Sequence, residues 1–384
     1  MSPNSEATAA GRSLRLVYLA CFAFGLQAGT GIPLVPLALE QRGVDKFTIG
    51  IVSAAWGIGM IATAHRIPAV AARLGAVPLI AIAVAMNSAI SVVYAYTQDT
   101  ALWFGLALLS GAVGGVPWVL SEIWINLVTD ERRRGRAVAV YSTVVALGLA
   151  AGPVVLQIAG VYGPRPFLVN AALGGLVVLP FLAAWNLAPP IGPSPSGGFA
   201  RVVVLAPAAL IASLACGLGE QVAFSFLPVY AVASDVAAKV GAMWLSAFVI
   251  GNLLLQWPIG WMADHFDRRA VLAACAFAST ALAGAVPLLD PHDSAILGVL
   301  VLWGGISFGI YTVGLAVLGQ RFRGDDIARA NAAFTMMYTM GGLVGRPLAG
   351  KAMDLAGGLG LGGTVAFFYA AAGVGALLAL RRSG

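Results

Sequence analysis

The chain contains one pattern twice: RAVAVYSTVVALGLAAGP at residues 136–153 and RANAAFTMMYTMGGLVGRP at residues 329–347. Arg136 corresponds to Arg329, so the two copies lie about 193 residues apart. Similar residues recur at nearly the same distance in other parts of the chain. Self-similarity at a fixed distance indicates two copies of one structural unit. In a membrane protein such a duplication is typical of a transporter, with the substrate site between the copies.

The composition places this duplicated chain in a membrane. Hydrophobic residues make up 60% of the sequence and charged residues 10%, and the mean hydropathy is +0.90. Soluble proteins carry about 25% charged residues, so lipid must be the solvent for most of this chain. A span needs roughly 20 apolar residues and must be a helix, because lipid offers an open backbone no hydrogen-bonding partner. We predict an all-α membrane protein with twelve spans, at residues 14–38, 47–65, 76–96, 100–128, 136–161, 166–187, 203–231, 238–262, 269–289, 294–319, 327–350 and 362–381.

A cluster of helix-breaking proline and glycine residues separates the two copies. Residues 188–198 read APPIGPSPSGG, and proline and glycine at that density do not sustain a helix. Each half then holds six spans, and both halves keep the same orientation in the membrane because six is even. The predicted domains are a cytoplasmic tail at 1–13, a six-helix bundle at 14–187, a cytoplasmic linker at 188–202 and a second six-helix bundle at 203–384.

The positions of lysine and arginine predict the orientation. With the N-terminus inside, sixteen of the 22 basic residues lie on the cytoplasmic side of the predicted spans. This bias follows the positive-inside rule and accounts for the net charge of +6 without a nucleic-acid partner. We therefore expect a multi-pass protein of the bacterial cytoplasmic (inner) membrane with both termini in the cytoplasm.

A charged loop motif lies between predicted spans eight and nine. Residues 260–269 read GWMADHFDRR, and the first-half copy at 68–77, PAVAARLGAV, keeps an arginine and a glycine but has no acid. The pattern resembles the loop motif Gly-xxx-Asp-Arg-x-Gly-Arg-Arg of the major facilitator superfamily, although here the second half carries the better copy. The resemblance implies a cytoplasmic gate motif, whereas the positive-inside rule alone would give a solvated loop. The residues concerned are Gly260, Asp264, Arg268, Arg269, Arg73 and Gly75.

The resemblance extends over nearly the whole chain and implies the fold of that family. That fold consists of 12 transmembrane helices in two pseudo-symmetric six-helix bundles, which rock so that the substrate site opens to alternate sides. The Gly-xxx-Gly-Pro pattern in the opening stretch is similar to the antiporter motif of the same family. It indicates either close helix packing alone or export by antiport. Its residues are Gly148, Gly152 and Pro153, with Gly341, Gly345 and Pro347 in the second copy.

The resemblance also implies that spans one, four, seven and ten line a central cavity. Trp118 and Tyr311 would then face each other, and aromatic side chains suit an organic substrate with an apolar face or a cation. The alternative is that these aromatics only pack against neighbouring helices or lipid. Further cavity candidates are Phe224, Phe308, Gln27 and Arg346.

Two glutamates inside predicted spans are candidates for proton coupling, because charges within a span are costly and functional by default. Glu220 lies just past the middle of span seven, on a helix face with Ser213, Gly217 and Phe224. A carboxyl group in a low-dielectric interior can take up and release a proton as its hydration changes. The alternative is a static buried pair, with Arg346 as the partner. Glu122 could form a gate pair with an arginine of span two or bind substrate.

These observations predict a secondary active transporter that moves a small organic, amphipathic solute by alternating access, with proton-coupled export. One alternative is a proton-linked uptake symporter for a small metabolite, including an anion held by Arg346. The other is a non-transporting sensor or assembly protein with the same fold. No nucleotide, metal or other cofactor site is found in the sequence, and no arrangement of nucleophile and base suggests an enzyme. The expected partners are a small-molecule substrate, protons and the lipid bilayer, and we expect a monomer.

Overall fold

The structure is a computed structural model that describes residues 3–191, 206–320, 322 and 325–381. Most of the predicted linker, residues 192–202, lies outside these ranges. In the described ranges the secondary structure is helical throughout. The first part of the chain forms α1 (Pro3–Gln41), α2 (Lys46–Ala64), α3 (Ile67–Leu74), α4 (Ala76–Tyr96), α5 (Thr100–Val128), α6 (Glu131–Ala159), α7 (Pro164–Ala183) and a 3-10 turn (Trp185–Leu187). The second part forms α8 (Pro207–Ala233), α9 (Ala238–His265), α10 (Arg268–Ala285), a 3-10 turn (Val286–Leu288), α11 (Ala295–Gly319) and α12 (Asp325–Arg381).

Eleven helices in the described ranges are long and apolar enough to cross a membrane. The last of these spans, Ala330–Leu380, has 51 residues, more than twice the roughly 20 that one crossing needs. It is interrupted at Ala356 and Gly357, whose backbone angles are not helical, so α12 supplies two spans. The predicted all-α fold with about twelve spans is therefore confirmed.

Helix α1 is longer than the sequence suggested. It begins at Pro3, within the residues that we predicted to be a tail. The stretch that precedes the apolar run is rich in alanine, which has the highest helix propensity, so the helix can extend beyond the apolar span. The apolar span itself begins at Ala10.

The chain forms two compact units whose boundary differs from the predicted domain boundary. The first unit contains Met1–Leu34 and Ile58–Pro195, and the second contains Val35–Gly57 and Ser196–Gly384. The end of α1 and the start of α2 thus belong to the second unit, although the internal repeat assigns them to the first half of the sequence.

The first unit is packed around large buried aromatic side chains. Trp124 of α5 is fully buried against Phe181 of α7, with ring centroids 5.9 Å apart. Its indole N–H donates to the Ser13 hydroxyl oxygen at 2.9 Å, so burial leaves no polar atom of this side chain without a partner. In lipid this contact stabilises the unit through close packing and the buried hydrogen bond rather than through removal of apolar surface from water.

The second unit is built around α8, which is 83% buried over its apolar window. Glycines bring its backbone into direct contact with α12: a Cβ on Gly217 would overlap the carbonyl oxygen of Tyr338, and one on Gly341 would overlap that of Leu214. Small residues at such positions allow helices to approach closely in lipid. A similar close contact at a glycine joins α1 to α6 in the first unit, where Gly148 lies against the carbonyl oxygen of Phe22.

The start of α2 is held by α12 within the second unit. The Asp354 carboxylate accepts from the amides of Lys46 and Phe47, each at 2.9 Å, and so satisfies two donors that a helix N-terminus leaves free. One turn further along, Gly50 lies directly against the carbonyl oxygen of Arg346, and Gly350 lies against that of Lys46. This explains why α2 begins in the second unit.

We expect Gly217→Ala to destabilise the protein, because its Cβ has to displace the α12 backbone. Overpacking of this kind typically costs about 1–3 kcal/mol. The measurement is thermal unfolding of the purified protein in detergent. Gly284→Ala is the matched control, since no atom lies within 4 Å of a Cβ there. Equal unfolding temperatures for the two variants would contradict the proposed helix contact.

Candidate functional site

The most deeply buried acid of the second unit is Glu220, on α8. Its side chain is 1% exposed, and each carboxylate oxygen accepts one hydrogen bond. The Cys216 thiol donates to Oε1 at 2.8 Å, and the Tyr338 hydroxyl of α12 donates to Oε2 at 2.7 Å. Both donors are neutral, so the buried charge is solvated by dipoles and has no cation in contact. A buried carboxylate in such surroundings is costly and is a candidate functional group.

Hydrogen bonds connect this carboxylate to a buried arginine. The Gln221 amide nitrogen donates to the Tyr338 hydroxyl oxygen at 3.4 Å, and the Gln221 amide oxygen accepts from Nη2 of Arg346. Arg346 is 7% exposed, and its Nε donates to the Gln221 carbonyl oxygen at 3.3 Å. Its Nη1 donates to the Ser53 carbonyl oxygen of α2 at 2.9 Å. We call Cys216, Glu220, Gln221, Tyr338 and Arg346 the Glu220 network.

Glu220 and Arg346 do not form the direct ion pair that the sequence left open. Neither residue has a salt bridge within the described part of the chain, and two side chains lie between them. Tyr338 and Gln221 are the residues that sequence reasoning missed. Gln221 is adjacent to Glu220 in sequence, which was a usable signal, whereas Tyr338 lies in an apolar stretch of α12.

The helix contacts described above position this network. Gly217 allows α12 to approach α8 one turn before Glu220, and Gly345 accommodates the Leu218 side chain. Ser213, the other polar residue on this face of α8, donates to the Phe334 carbonyl oxygen at 2.6 Å. The predicted packing residues Gly341, Gly345 and Pro347 therefore lie on the helix that carries Tyr338 and Arg346.

Aromatic side chains lie beside the network in the second unit. Tyr311 of α11 contacts Tyr338 with ring centroids 5.5 Å apart and Phe334 at 5.0 Å. Phe224 contacts Phe308 at 6.4 Å. Of the predicted cavity residues, Tyr311 thus contacts the network directly, whereas Phe224 and Phe308 contact each other and Phe248.

The candidates in the first unit have different surroundings. Trp118 of α5 is 41% exposed and makes an edge contact with Phe24 at 6.0 Å. Gln27 is buried and donates to the Asn170 carbonyl oxygen at 3.2 Å, so it joins α1 to α7. Glu122 is exposed and forms no ion pair with Arg66 or Arg73. Roles for Trp118 and Glu122 in substrate binding or gating remain predictions.

The charged loop of the second unit binds helix ends. The Arg268 guanidinium donates to the carbonyl oxygens of Ala263 and Ala316, each at 3.2 Å, and Arg269 donates to that of Ala379 at 2.9 Å. Asp264 is 71% exposed and only 3.6 Å from Arg268. Asp267, which the sequence motif did not single out, caps α10 by accepting from the amides of Arg269 and Ala270.

The remaining motif glycines differ in what they do. Gly75 has φ +88° and separates α3 from α4, a conformation that favours glycine. Gly260 has no atom within 4 Å of a Cβ position, so packing does not require a glycine there. Gly152 and Pro153 lie in α6, where Gly152 contacts the backbone of Gly29.

Comparison with known proteins identifies the family. The model of the Major Facilitator Superfamily matches residues 17–242 and 209–382. The chain belongs to the major facilitator superfamily. It is 23% identical over 344 residues to the MFS-type transporter YfkF of Bacillus subtilis, covering 85% of this chain and 84% of the relative. It is 26% identical over 336 residues to an MFS-type transporter of Yersinia pestis, covering 84% of each chain.

Solved structures of this superfamily share the fold. The nucleoside transporter NupG has a TM-score of 0.72 and 18% identity, covering 96% of this chain and 98% of that one. The peptide transporter POT has a TM-score of 0.77 and 15% identity, covering 97% and 94%. The family match, the MFS-type transporter relatives and the apolar spans together make the protein an integral, multi-pass membrane transporter of this superfamily.

We expect Arg268→Ala to lower stability more than Asp264→Ala. Arg268 loses two hydrogen bonds to helix carbonyls, worth about 1–2 kcal/mol together, whereas an exposed ion pair is worth about 0–1 kcal/mol. Thermal unfolding of the two variants beside the parent measures the difference. A larger loss for Asp264→Ala would indicate that the acid has a partner that this geometry does not provide.

Proposed function

We propose that this transporter exports a small organic, amphipathic solute in exchange for protons, with Glu220 as the site that binds the proton. The observation that supports the proposal is a fully buried carboxylate whose only side-chain partners, among the residues that the structure describes, are a thiol and a phenol. No neighbouring cation in contact fixes the carboxylate in its charged form, so a proton can neutralise it without breaking a salt bridge.

The proton site and the aromatic side chains are adjacent, which supports coupling between proton and solute. Tyr311 contacts Tyr338, and Tyr338 binds Glu220. A solute with an apolar face packed against Tyr311, Phe224 and Phe308 would lie close enough to alter the hydration of the carboxyl group. A change in hydration changes the cost of the charge and hence the affinity for the proton.

The second candidate is proton-linked uptake of a small anionic metabolite, which Arg346 supports. Its guanidinium is buried and, within the described ranges, binds amide and carbonyl oxygens but no carboxylate. An anionic group of a substrate would supply the missing negative charge. The direction of solute movement under an imposed proton gradient distinguishes this candidate from export.

The substrate class is best approached by a binding screen. Ligands that bind the native state raise the unfolding temperature by mass action. The panel should contain amphipathic organic cations, small organic anions, nucleosides and short peptides, the last two because the structures with a similar fold include a nucleoside and a peptide transporter. Measurement at two pH values reports a linked proton. A non-transporting sensor would bind a ligand but show no proton-linked flux in vesicles.

We expect Glu220→Gln to abolish transport driven by a pH gradient while leaving ligand binding measurable. The amide keeps the size and polarity of the side chain but cannot exchange a proton at physiological pH. The assay is uptake into proteoliposomes with an imposed gradient, with ligand-induced thermal stabilisation as the test of binding. Asp290→Asn is the matched control, because Asp290 is an exposed acid in a loop outside the network. Gradient-driven accumulation that survives in Glu220→Gln would refute the proposed role.

A further inference from the structure

A continuous chain of hydrogen bonds leads from Glu220 to α2. It passes from the Glu220 carboxylate to the Tyr338 hydroxyl, from there to the Gln221 amide, and from the amide to Arg346. Arg346 then donates to the Ser53 carbonyl oxygen at 2.9 Å. All of these residues belong to the second unit. This series of hydrogen bonds therefore connects Glu220 to α2, the helix whose first residues contact α12.

The direction of each hydrogen bond in this chain is determined by chemistry. Arginine has only donors, so Gln221 must present its amide oxygen to Arg346. The amide nitrogen then points to the Tyr338 oxygen and donates to it. Tyr338 has one proton, and it donates that proton to the Glu220 carboxylate, which in its ionised form only accepts. The heavy-atom arrangement therefore accommodates an ionised Glu220 with every donor in the chain facing an acceptor.

A proton on Glu220 reverses this order. The new O–H lies on Oε2, facing the phenol, because the Cys216 sulfur near Oε1 is a weak acceptor. The phenol oxygen then accepts from Glu220, and its own proton turns towards the Gln221 side chain. Gln221 can accept that proton only by turning its amide oxygen away from Arg346. The amide NH2 and the guanidinium then face each other as two donors, which is repulsive.

We propose that Tyr338 and Gln221 relay the protonation of Glu220 to Arg346, and so control how tightly Arg346 holds Ser53 of α2. The ionised acid keeps the guanidinium bound between Gln221 and the Ser53 carbonyl. The protonated acid places a second donor beside Nη2 and so displaces the guanidinium from the Ser53 carbonyl, although Nε keeps its hydrogen bond to the Gln221 main-chain carbonyl. This displacement loosens the start of α2 from α12 and leaves Nη1 and Nη2 able to bind another acceptor. Tyr338 and Gln221 are positioning residues in this scheme, since neither exchanges the proton itself. The proposal rests on the proposed function, because it takes Glu220 as the proton site.

Other titratable groups face this region, and the effect of their titration has to be distinguished from that of Glu220. Around the acid these are Cys216 on α8 and Tyr338, Arg346 and Tyr369 on α12, with Tyr311 on α11 beyond Tyr338. At the start of α2 they are Asp45, Lys46, Asp354, Lys351 and Glu40. Hydrogen bonds from the Thr48 hydroxyl and amide lower the pKa of Asp45, so it stays ionised near neutral pH. Measurement in a Glu220→Gln variant shows how much of the pH dependence comes from these other groups.

The test uses a thiol placed at the contact. Ser53→Cys is nearly isosteric, and the Ser53 hydroxyl oxygen is buried without a hydrogen-bond partner in the described part of the chain. A maleimide reagent should therefore label this thiol only when α2 loosens. The three native cysteines are buried, so the protein without Ser53→Cys supplies the background. Thiols react faster as pH rises, so the labelling rate of Ser53→Cys is divided by that of Ser294→Cys, an exposed position. This ratio removes the intrinsic pH dependence of the thiol.

We expect corrected labelling of Ser53→Cys to be about fivefold or more faster in mildly acidic than in mildly alkaline buffer, the range of typical couplings between sites. Glu220→Gln should remove this pH dependence, and so should Tyr338→Phe and Gln221→Leu. Tyr369→Phe should leave it intact, since Tyr369 is also buried near Glu220 but bonds Ser307 outside the relay. Gel filtration and thermal unfolding verify that each variant is folded.

The outcomes separate the relay from the proton site. Loss of the pH dependence in Glu220→Gln but not in Tyr338→Phe or Gln221→Leu overturns the relay and leaves Glu220 as the proton site. Persistence in Glu220→Gln overturns the proton site and the relay together. Labelling of Ser53→Cys that does not change with pH, or loss of the dependence in Tyr369→Phe, overturns the relay, because the effect is then absent or reflects packing in general.

Discussion

The close contact between the backbones of α8 and α12 is the constraint on which the second unit depends. In lipid, helices gain little from hiding apolar surface, so they associate through small residues that allow close packing. Gly217 and Gly341 provide that contact from opposite sides. It brings the Tyr338 hydroxyl within 2.7 Å of Glu220 and aligns Gln221 with Arg346. The glycines that allow α8 and α12 to pack closely therefore also position the Glu220 network.

Glu220 and Arg346 are buried in one network without forming a direct ion pair. An acid and a base lie in one buried network, yet the geometry places a phenol and an amide between them. A direct pair would fix both charges, since separating it would leave each one uncompensated. Neutral groups between them can reorient their hydrogen bonds without separating two opposite charges. Such a network can respond to a proton, which is the property that a coupled transporter requires.

Much of the fold was predictable from the sequence, whereas the network was not. The spans at 76–96 and 100–128 agree with α4 and α5 because apolar runs with polar ends are local signals. The buried Glu220 was also found, since a charge inside a span has few structural explanations. The role of Tyr338 depends on the register between α8 and α12, and the contact of Arg346 with Ser53 depends on the docking of α2. Neither is encoded in local spacing, and the internal repeat places the start of α2 in the first half, whereas the structure packs it in the second unit.

Infrared difference spectroscopy of the purified protein tests the central claim, that Glu220 takes up a proton inside the membrane domain, most directly. Acidification of the parent should produce the carbonyl band of a protonated carboxyl group, and Glu220→Gln should lack that band. Isotope exchange in heavy water would assign the band to an exchangeable carboxyl proton. A carbonyl band of equal intensity in Glu220→Gln, or none in the parent, would contradict the account.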